Sequence, residues 1–179
     1  THAELPEFFF FGLSYINDGE HFFIDSDTKL HKVAPEGWKD GLKGNLPPLT
    51  FSVYLRIKFY PEHIGMLRHS ISRHLLYLQL RHDFLEERLT CSDEKTVALV
   101  GLAIQSEYGD YDQETMGKNY FIPEHYYCGS VIKRLGLGYI RDNTAETHCN
   151  YTGLSHVQAE VEFIKMAQQL QEYGIHFHK

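Results

Sequence analysis

The sequence predicts an α+β fold in which a partial β unit precedes an α-helical bundle. The first sixty residues carry apolar runs and one long stretch with a period of two, which is typical of strands. From Pro61 onward the apolar residues recur with the period of a helix. The 179 residues are 42% hydrophobic and 14% aromatic, which is enough to bury the core of one or two compact units.

The β unit begins with two apolar runs joined by a turn. Residues 8–16 form the first run, and its four phenylalanines (8–11) predict a strand buried on both faces. Residues 21–24 form the second run. Between them, Asn17, Asp18 and Gly19 tolerate positive φ and predict a β-hairpin.

A third strand is predicted for residues 49–60, after a loop rich in glycine and proline. The alternation places one set of side chains on one face of the strand and a more polar set on the other. The first set is Phe51, Val53, Leu55, Ile57 and Phe59. The second is Ser52, Tyr54, Arg56, Lys58 and Tyr60.

A long helix is predicted after Pro61, with Gly65 separating a short first turn from the rest. Its apolar stripe has spacings of three, four and seven residues, which predicts one buried face. The stripe consists of Ile64, Leu67, Ile71, Leu75, Leu78, Leu85 and Leu89.

The later helices are predicted mainly from residues that start or end a helix. Ser92 predicts the N-cap of a helix that reaches about residue 108. Residues 119–138 predict only short helical pieces, and another helix is expected over 139–149. Ser155 and Gln158 form a capping box, which starts a helix over 155–173 that stops at Gly174. Its predicted buried stripe is Val157, Val161, Ile164, Ala167 and Leu170.

Charge and cysteine content exclude several classes of protein. The net charge of −7 disfavours a nucleic-acid partner, because phosphate binding requires clustered Lys and Arg. The three cysteines are far apart and odd in number, which predicts a reducing, cytoplasmic compartment rather than a disulfide framework. No apolar run reaches membrane-spanning length, and no pattern predicts a cofactor.

Five segments in order resemble the FERM domain, the three-lobed module of band 4.1 and ezrin. They are FFGL at 10–13, RIKFYP at 56–61, SRHLLYLQLR at 72–81, QSEYGDY at 105–111, and residues 159–177. Residues 32–38 and 85–88 are most similar to the branch that joins FERM to PDZ domains, which includes a non-receptor tyrosine phosphatase.

The resemblance implies the domain organisation. Residues 1–60 correspond to the second half of the ubiquitin-like first lobe, and residues 61–179 to the helical, acyl-CoA-binding-protein-like second lobe with the start of the link to a third. Because three strands form a poor independent domain, we expect the chain to be a piece of a larger protein, cut at both ends.

Two patterns of reactive residues are interpreted as structural. Cys128 and Arg134 match C-x5-R, the phosphate loop of tyrosine phosphatases, but Val131 and Ile132 occupy the centre, where such a loop needs glycines. Twelve histidines include His69, His74 and His82 on one helix, and their offsets do not share a face. His176 and His178 share a strand face but lack further ligands. No catalytic or metal site is predicted.

Asp110 and Glu107 could be taken for an acid–base pair. We interpret them instead as solvating or capping a helix end, because no nucleophile or oxyanion stabiliser accompanies them.

Lys29 and Lys32 are the candidate lipid-binding residues. Lys29 matches a lysine with which ezrin-like relatives hold phosphoinositide head groups, whereas Asp25 and Thr28 replace others of that set. Carboxylates at Asp25 and Asp27 would repel phosphate. Together with Lys39 and Lys43, the two lysines could form a modest membrane-facing patch, or lie in an ordinary solvated loop.

The expected function is that of a non-catalytic adaptor at the plasma membrane, cell junctions or cortical cytoskeleton. Its expected partners are cytoplasmic tails of membrane proteins, other scaffold proteins and phosphoinositides, with peripheral membrane association only. The alternative is the regulatory portion of a non-receptor tyrosine phosphatase whose catalytic domain lies outside this chain. Acyl-CoA carriage is a third hypothesis, based on fold analogy alone.

Overall fold

The chain folds as two compact units. The computed structural model describes residues 7–38, 50–117 and 119–175. Unit 1 contains the described residues up to Phe59 and carries a small antiparallel sheet; unit 2 begins at Tyr60 and is helical. This arrangement of strands followed by helices confirms the predicted α+β fold class.

The sheet of unit 1 contains three antiparallel strands in the order β2-β1-β3. They are β1 (Phe11–Asn17), β2 (Glu20–Phe23) and β3 (Tyr54–Ile57). The turn between β1 and β2 has positive φ at Asp18 (49°) and Gly19 (81°). Two successive positive values are those of the two-residue hairpin turn whose twist suits flanking strands, so the predicted hairpin is confirmed.

The prediction for residues 8–11 was wrong. A 3-10 helix spans Glu7–Phe10, and β1 starts only at Phe11. Phe10 is buried, whereas Phe8 is 77% exposed and Phe9 is 45% exposed. The ring of Phe9 stacks on that of Phe59, with centroids 5.1 Å apart. A helical turn points successive side chains in different directions, which is why only one of these rings is buried.

The third strand is shorter than predicted, and its apolar face is only partly covered. Residues 50–53 and 58–60 are not in strand conformation. The ladder ends where the amides of Lys58 and Phe59 both donate to the carbonyl of Phe10. Ile57 is buried, whereas Leu55 is 55% exposed and faces Leu13 of β1 across the ladder. Residue 49 lies outside the described residues.

Unit 2 contains six α-helices among the described residues. They are α1 (Ser70–Leu85), α2 (Asp93–Tyr108), α3 (Gln113–Met116), α4 (Gly129–Leu135), α5 (Leu137–Cys149) and α6 (His156–Ala167). Short 3-10 helices span Ile64–Met66 and Pro123–His125. Helix α2 is at the centre and packs against both α5 and α6, and α1 packs against α6.

The predicted buried face of α1 was wrong. Ile71 and Leu78 are 61% and 43% exposed. The buried face instead includes two polar residues, Gln79 and Asp83. Both bind the hydroxyl of Tyr60: Gln79 Nε2 donates to it at 2.7 Å, and it donates to Asp83 Oδ2 at 2.5 Å. The same face buries Leu76, Leu80 and Phe84, which also recur with a helical period. The apolar residues of α1 thus allow two faces, and the predicted one is not the buried one.

Two predicted helix starts are confirmed, whereas one start and one end are not. The long helix predicted after Pro61 begins only at Ser70, after the 3-10 helix Ile64–Met66. The side chain of Ser92 accepts a hydrogen bond from the amide of Lys95, and Ser155 forms the full capping box with Gln158. However, α6 ends at Ala167 rather than near residue 173, and Val157 of its predicted stripe is 51% exposed.

Candidate functional site

The segment 105–111 joins the end of α2 to the loop that precedes α6. The side-chain amide of Gln105 donates to Asp110 Oδ1 and to the carbonyl of Leu154, each at 2.8 Å. Asp110 also accepts from the amide of Gly153 at 2.7 Å, and this bond lowers the pKa of the Asp110 carboxyl. The carboxylate is therefore a structural acceptor that closes the loop, as expected for a helix end.

Glu107 is engaged in a second internal cluster. It accepts hydrogen bonds from the Arg81 guanidinium of α1 and from the hydroxyl of Tyr126. The guanidinium carbon lies 4.8 Å from the centre of the Tyr126 ring, and a further guanidinium N–H donates to the carbonyl of His125. Burial and the adjacent Glu107 raise the pKa of Tyr126. The cluster joins α1, α2 and the 3-10 helix Pro123–His125.

His148 is buried at the centre of an aromatic cluster. Its Nε2 lies 2.8 Å from the carbonyl of Gly109 and its Nδ1 lies 2.9 Å from the hydroxyl of Tyr120. Because a carbonyl can only accept, Nε2 carries the proton and Nδ1 accepts from the hydroxyl. Burial lowers the pKa of His148. A neutral imidazole with both nitrogens bonded is a structural group.

Gly12 is the glycine of the first FERM-like segment, residues 10–13, and close packing requires a glycine there. A Cβ atom at this position would lie 2.8 Å from the ring of Phe23 and 3.3 Å from Cβ of Lys58. Any larger residue would displace that ring, so this part of the segment serves close packing within unit 1.

Cys128 and Arg134 lie at the two ends of the short helix α4. Cys128 is the N-cap, and its carbonyl accepts from the amide of Ile132 in the ordinary helical pattern. Arg134 pairs with Asp93, and Ser130 donates to Glu87. Residues 129–135 are therefore a short helix rather than a phosphate loop, and the arginine is paired with Asp93.

The histidines of α1 are not brought together as ligands. His74 Nδ1 lies 2.8 Å from Glu160 Oε1 of α6, which also accepts from Ser106 at 3.4 Å. Within residues 7–38, 50–117 and 119–175, no group of three or more His, Cys, Asp or Glu side chains could hold a metal ion. His176 and His178 lie outside the described residues.

The structure places Lys29 and Lys32 in one exposed turn of unit 1. Lys29 precedes the 3-10 helix Leu30–Lys32, and the amide of Lys32 donates to the carbonyl of Lys29 at 2.9 Å. Both side chains are exposed, as are those of Asp25 and Asp27. Lys39 and Lys43 lie outside the described residues.

The sequence interpretation missed a pocket of unit 1. Its volume is about 210 Å³, and it is lined at one end of the sheet by Tyr15, Phe51 and Tyr54 together with Pro35 and other uncharged residues. The available signal was the density of aromatic residues on either side of the loop. Periodicity could not reveal that the two regions meet.

Two family models match this chain. The model of the FERM central domain matches residues 62–178, and that of the FERM N-terminal domain matches residues 1–36. The chain belongs to the FERM family. The FERM domain is a non-catalytic module, and this agrees with the internal roles of the polar side chains described above.

Curated relatives match over nearly the full chain. Human tyrosine-protein phosphatase non-receptor type 13 is 44% identical over 100% of the chain and 7% of its own length. Mouse FERM and PDZ domain-containing protein 2 is 44% identical over 99% of the chain and 13% of its length. Canine protein 4.1 is 33% identical over 99% of the chain and 20% of its length. The chain thus spans a small part of each relative.

Solved structures share the fold of this FERM chain. The FERM domain of Drosophila Merlin, in complex with its C-terminal domain, superimposes with a TM-score of 0.78 at 22% identity, over 96% of this chain and 56% of that one. A MyTH4-FERM domain of Dictyostelium myosin VII gives 0.70 at 15% identity, over 94% and 36%. None of the helices in the described ranges has the length and apolarity needed to cross a membrane.

Proposed function

We propose that this FERM chain is part of an adaptor that places a multidomain protein beneath the plasma membrane. Its partners would be cytoplasmic tails of membrane proteins or other scaffold proteins, at cell junctions or the cortical cytoskeleton. Canine protein 4.1, human Merlin and mouse FERM and PDZ domain-containing protein 2 support a module that links membrane and cytoskeleton. The chain would act by binding its partners and would catalyse no reaction.

One observation supports the proposal most directly. Polar side chains of the FERM-like segments 72–81 and 105–111 form hydrogen bonds within unit 2. Arg81, Glu107 and Gln105 donate to or accept from neighbouring elements of the same unit. Side chains used in this way stabilise a scaffold, and ligands then bind to surfaces that the scaffold holds in place. We therefore infer that the recognition surface lies away from the signature segments.

The domain assignment belongs to the same proposal. Residues 1–60 would be the second half of the first FERM lobe, and residues 61–179 the second lobe with the start of the link to a third. The division into two compact units near residue 60 and the separate matches to the N-terminal and central models support this assignment.

Lys29 and Lys32 would contribute the contact with anionic lipid. Both are exposed and lie in one turn, so a membrane surface could approach them together. Each lysine close to an anionic membrane contributes about 1 kcal/mol of binding. The exposed Asp25 and Asp27 oppose this attraction, so we expect weak, salt-dependent binding that assists a protein partner.

Vesicle flotation tests this part of the proposal. The chain should associate with phosphatidylcholine vesicles that contain phosphatidylinositol 4,5-bisphosphate, and less with pure phosphatidylcholine. The double change Lys29→Glu and Lys32→Glu should weaken association by roughly ten-fold or more. Changing Lys133 and Lys165 of unit 2 to Glu alters the net charge equally and serves as the control. Equal loss in both variants would refute a site at Lys29 and Lys32.

The alternative function is regulation of a tyrosine phosphatase from outside its catalytic domain. The 44% identity to tyrosine-protein phosphatase non-receptor type 13 over the whole chain favours it. Sequencing the transcript beyond Lys179 distinguishes the two proposals. A phosphatase domain encoded downstream supports the regulatory function, and PDZ domains without one support the scaffold.

A further inference from the structure

Two FERM-like segments that are far apart in the sequence meet inside unit 2. Tyr60 and Pro61 end the segment 56–61, and Tyr173 lies near the end of the segment 159–177. The rings of Tyr60 and Tyr173 lie edge to face, with centroids 5.3 Å apart. The hydroxyl of Tyr173 donates to the carbonyl of Pro61 at 2.7 Å. The segment that precedes α1 is thus bound to the segment that follows α6.

Gln168 and Gly174 complete this junction. The side-chain amide of Gln168 donates to the carbonyl of Pro61 at 3.1 Å and to the hydroxyl of Tyr173 at 3.3 Å. Gly174 has a φ of 74°, and a Cβ atom there would lie 3.2 Å from Cβ of Tyr60. A glycine is therefore needed both for the backbone conformation and for close packing. We call these five residues (Tyr60, Pro61, Gln168, Tyr173 and Gly174) the latch.

The hydroxyl of Tyr60 anchors the latch to α1. It accepts from Gln79 at 2.7 Å and donates to Asp83 at 2.5 Å. Both of these side chains are buried, so loss of the hydroxyl would take a hydrogen-bond partner from a buried amide and from a buried carboxylate. Tyr60 thus binds the helical core with its hydroxyl and the segment after α6 with its ring.

The latch lies in segments with little regular structure. Residues 60–63 are in neither helix nor strand, and residues 168–174 form turns and a bend. In the second segment, the amide of Tyr173 donates to the carbonyl of Leu170, and that of Ile175 donates to the carbonyl of Glu172. Segments of this kind open at a lower free energy than the buried helices of a core.

We propose that the latch is a conformational device, in which the two segments open together while the helices remain folded. Each segment supplies contacts to the other, so neither can leave the core without weakening its partner. A protein that binds and stabilises one segment therefore also stabilises the other, because the coupling between two sites is reciprocal. This coupling goes beyond the adaptor function proposed above, which does not depend on it.

Native-state hydrogen exchange of the purified chain, followed by mass spectrometry, tests the latch. The amide of Met66, which donates to the carbonyl of His63, reports on the first segment, and those of Tyr173 and Ile175 report on the second. Peptides from α2 report on the core. We expect the two segments to exchange through one shared opening, and to do so faster than α2.

Two matched variants separate the latch from general loss of stability. Tyr60→Phe should raise the exchange rate of residues 168–175 roughly ten-fold, although the hydroxyl that it removes bonds to α1. Tyr126→Phe is the control, because it also removes a hydroxyl bonded to a carboxylate, that of Glu107. It should not raise exchange in residues 168–175 more than in α2.

Three results would overturn the proposal. The first is separate opening of the two segments, with different rates and no response of residues 168–175 to Tyr60→Phe. The second is exchange of both segments only together with α2. The third is an equal effect of the two variants on residues 168–175.

Discussion

At the scale of single residues, the polar side chains of the signature segments stabilise the helical unit. Arg81 bonds to Glu107, bonds to the carbonyl of His125 and covers the Tyr126 ring. A planar guanidinium can make these contacts at once, and an ammonium group cannot.

Replacing Arg81 by Lys should therefore lower the free energy of unfolding by about 1–2 kcal/mol, since bonds to charged partners and the cation–π contact are both weakened. Urea unfolding followed by circular dichroism measures the change. Lys165→Ala is the matched control, because its pair with Glu162 is half-exposed on both sides and should contribute less than about 0.5 kcal/mol. Equal effects of the two changes would contradict an internal role for Arg81.

His148 gives the protein a defined dependence on pH. Its pKa is lowered by burial, so between its folded pKa and its unfolded value of 6.5 the unfolded chain binds more protons. The neutral ring makes its full contribution to the free energy of unfolding above about pH 6.5. This contribution is lost as the pH falls below that value.

The matched comparison uses His148→Gln, whose amide can make the same two hydrogen bonds but does not titrate. Between pH 7.5 and pH 5.5, the wild-type protein should lose more stability in urea than this variant. His63→Gln, at an exposed histidine, should lose as much as wild type. Parallel pH profiles for the wild type and His148→Gln would show that His148 is not the group that titrates.

At the scale of elements, the end of α1 contains a strained residue. The amide of Arg88 donates to the carbonyl of Asp83, and that of Glu87 donates to the carbonyl of Phe84. These two bonds define the Schellman motif, which places Glu87 at the position usually occupied by glycine. Its φ is 58°, and an L-residue adopts this value at a cost of about 1–2 kcal/mol.

The strain can be separated from the side-chain bond to Ser130 by two substitutions. Glu87→Ala removes the carboxylate and keeps the strain, whereas Glu87→Gly removes both. The glycine variant should be more stable than the alanine variant by about 0.5–1 kcal/mol in urea unfolding, after the greater freedom of glycine in the unfolded chain is subtracted. An alanine variant at least as stable as the glycine variant would contradict this geometry.

Local signals in the sequence predicted most of the elements, but they did not predict which face of α1 is buried. Asn17, Asp18 and Gly19 determine a turn through their own backbone preferences, and the capping box at Ser155 is equally local. In contrast, the apolar residues of α1 allow two faces, the predicted one and the one that contains Leu76, Leu80 and Phe84. Gln79 and Asp83 lie on the second face and bind Tyr60, which lies outside the helix. Periodicity alone does not choose between the two faces.

The candidate site follows the same rule. Lys29 was predicted from its resemblance to a lysine of ezrin-like relatives, and Lys32 from its place three residues later. Their lipid binding stays a prediction. The pocket between Tyr15, Phe51 and Tyr54 could not be predicted, since it exists only when the hairpin meets the segment that leads into β3.

At the scale of the whole molecule, the two units differ in how much apolar surface they bury. In its described residues, unit 1 has three strands and leaves Phe8, Leu13 and Leu55 largely exposed, and a sheet of this size is marginal by itself. Unit 2 has a continuous helical core. The two units should therefore unfold in separate transitions.

Two probes report on the units independently. Trp38, the single tryptophan, lies in unit 1, and the described α-helices lie in unit 2. In a urea titration, the change in tryptophan fluorescence should have a lower midpoint than the change in helical circular dichroism. Coincident transitions would indicate that the chain unfolds as one cooperative unit.

In the function we propose, this FERM chain places a larger protein at the membrane by binding. The most direct test is the membrane-bound fraction of the full-length parent protein in cells, measured with and without the segment that corresponds to residues 1–179. We expect deletion to reduce the cortical fraction to the level of a freely diffusing control. A cortical fraction unchanged by the deletion would contradict the claim.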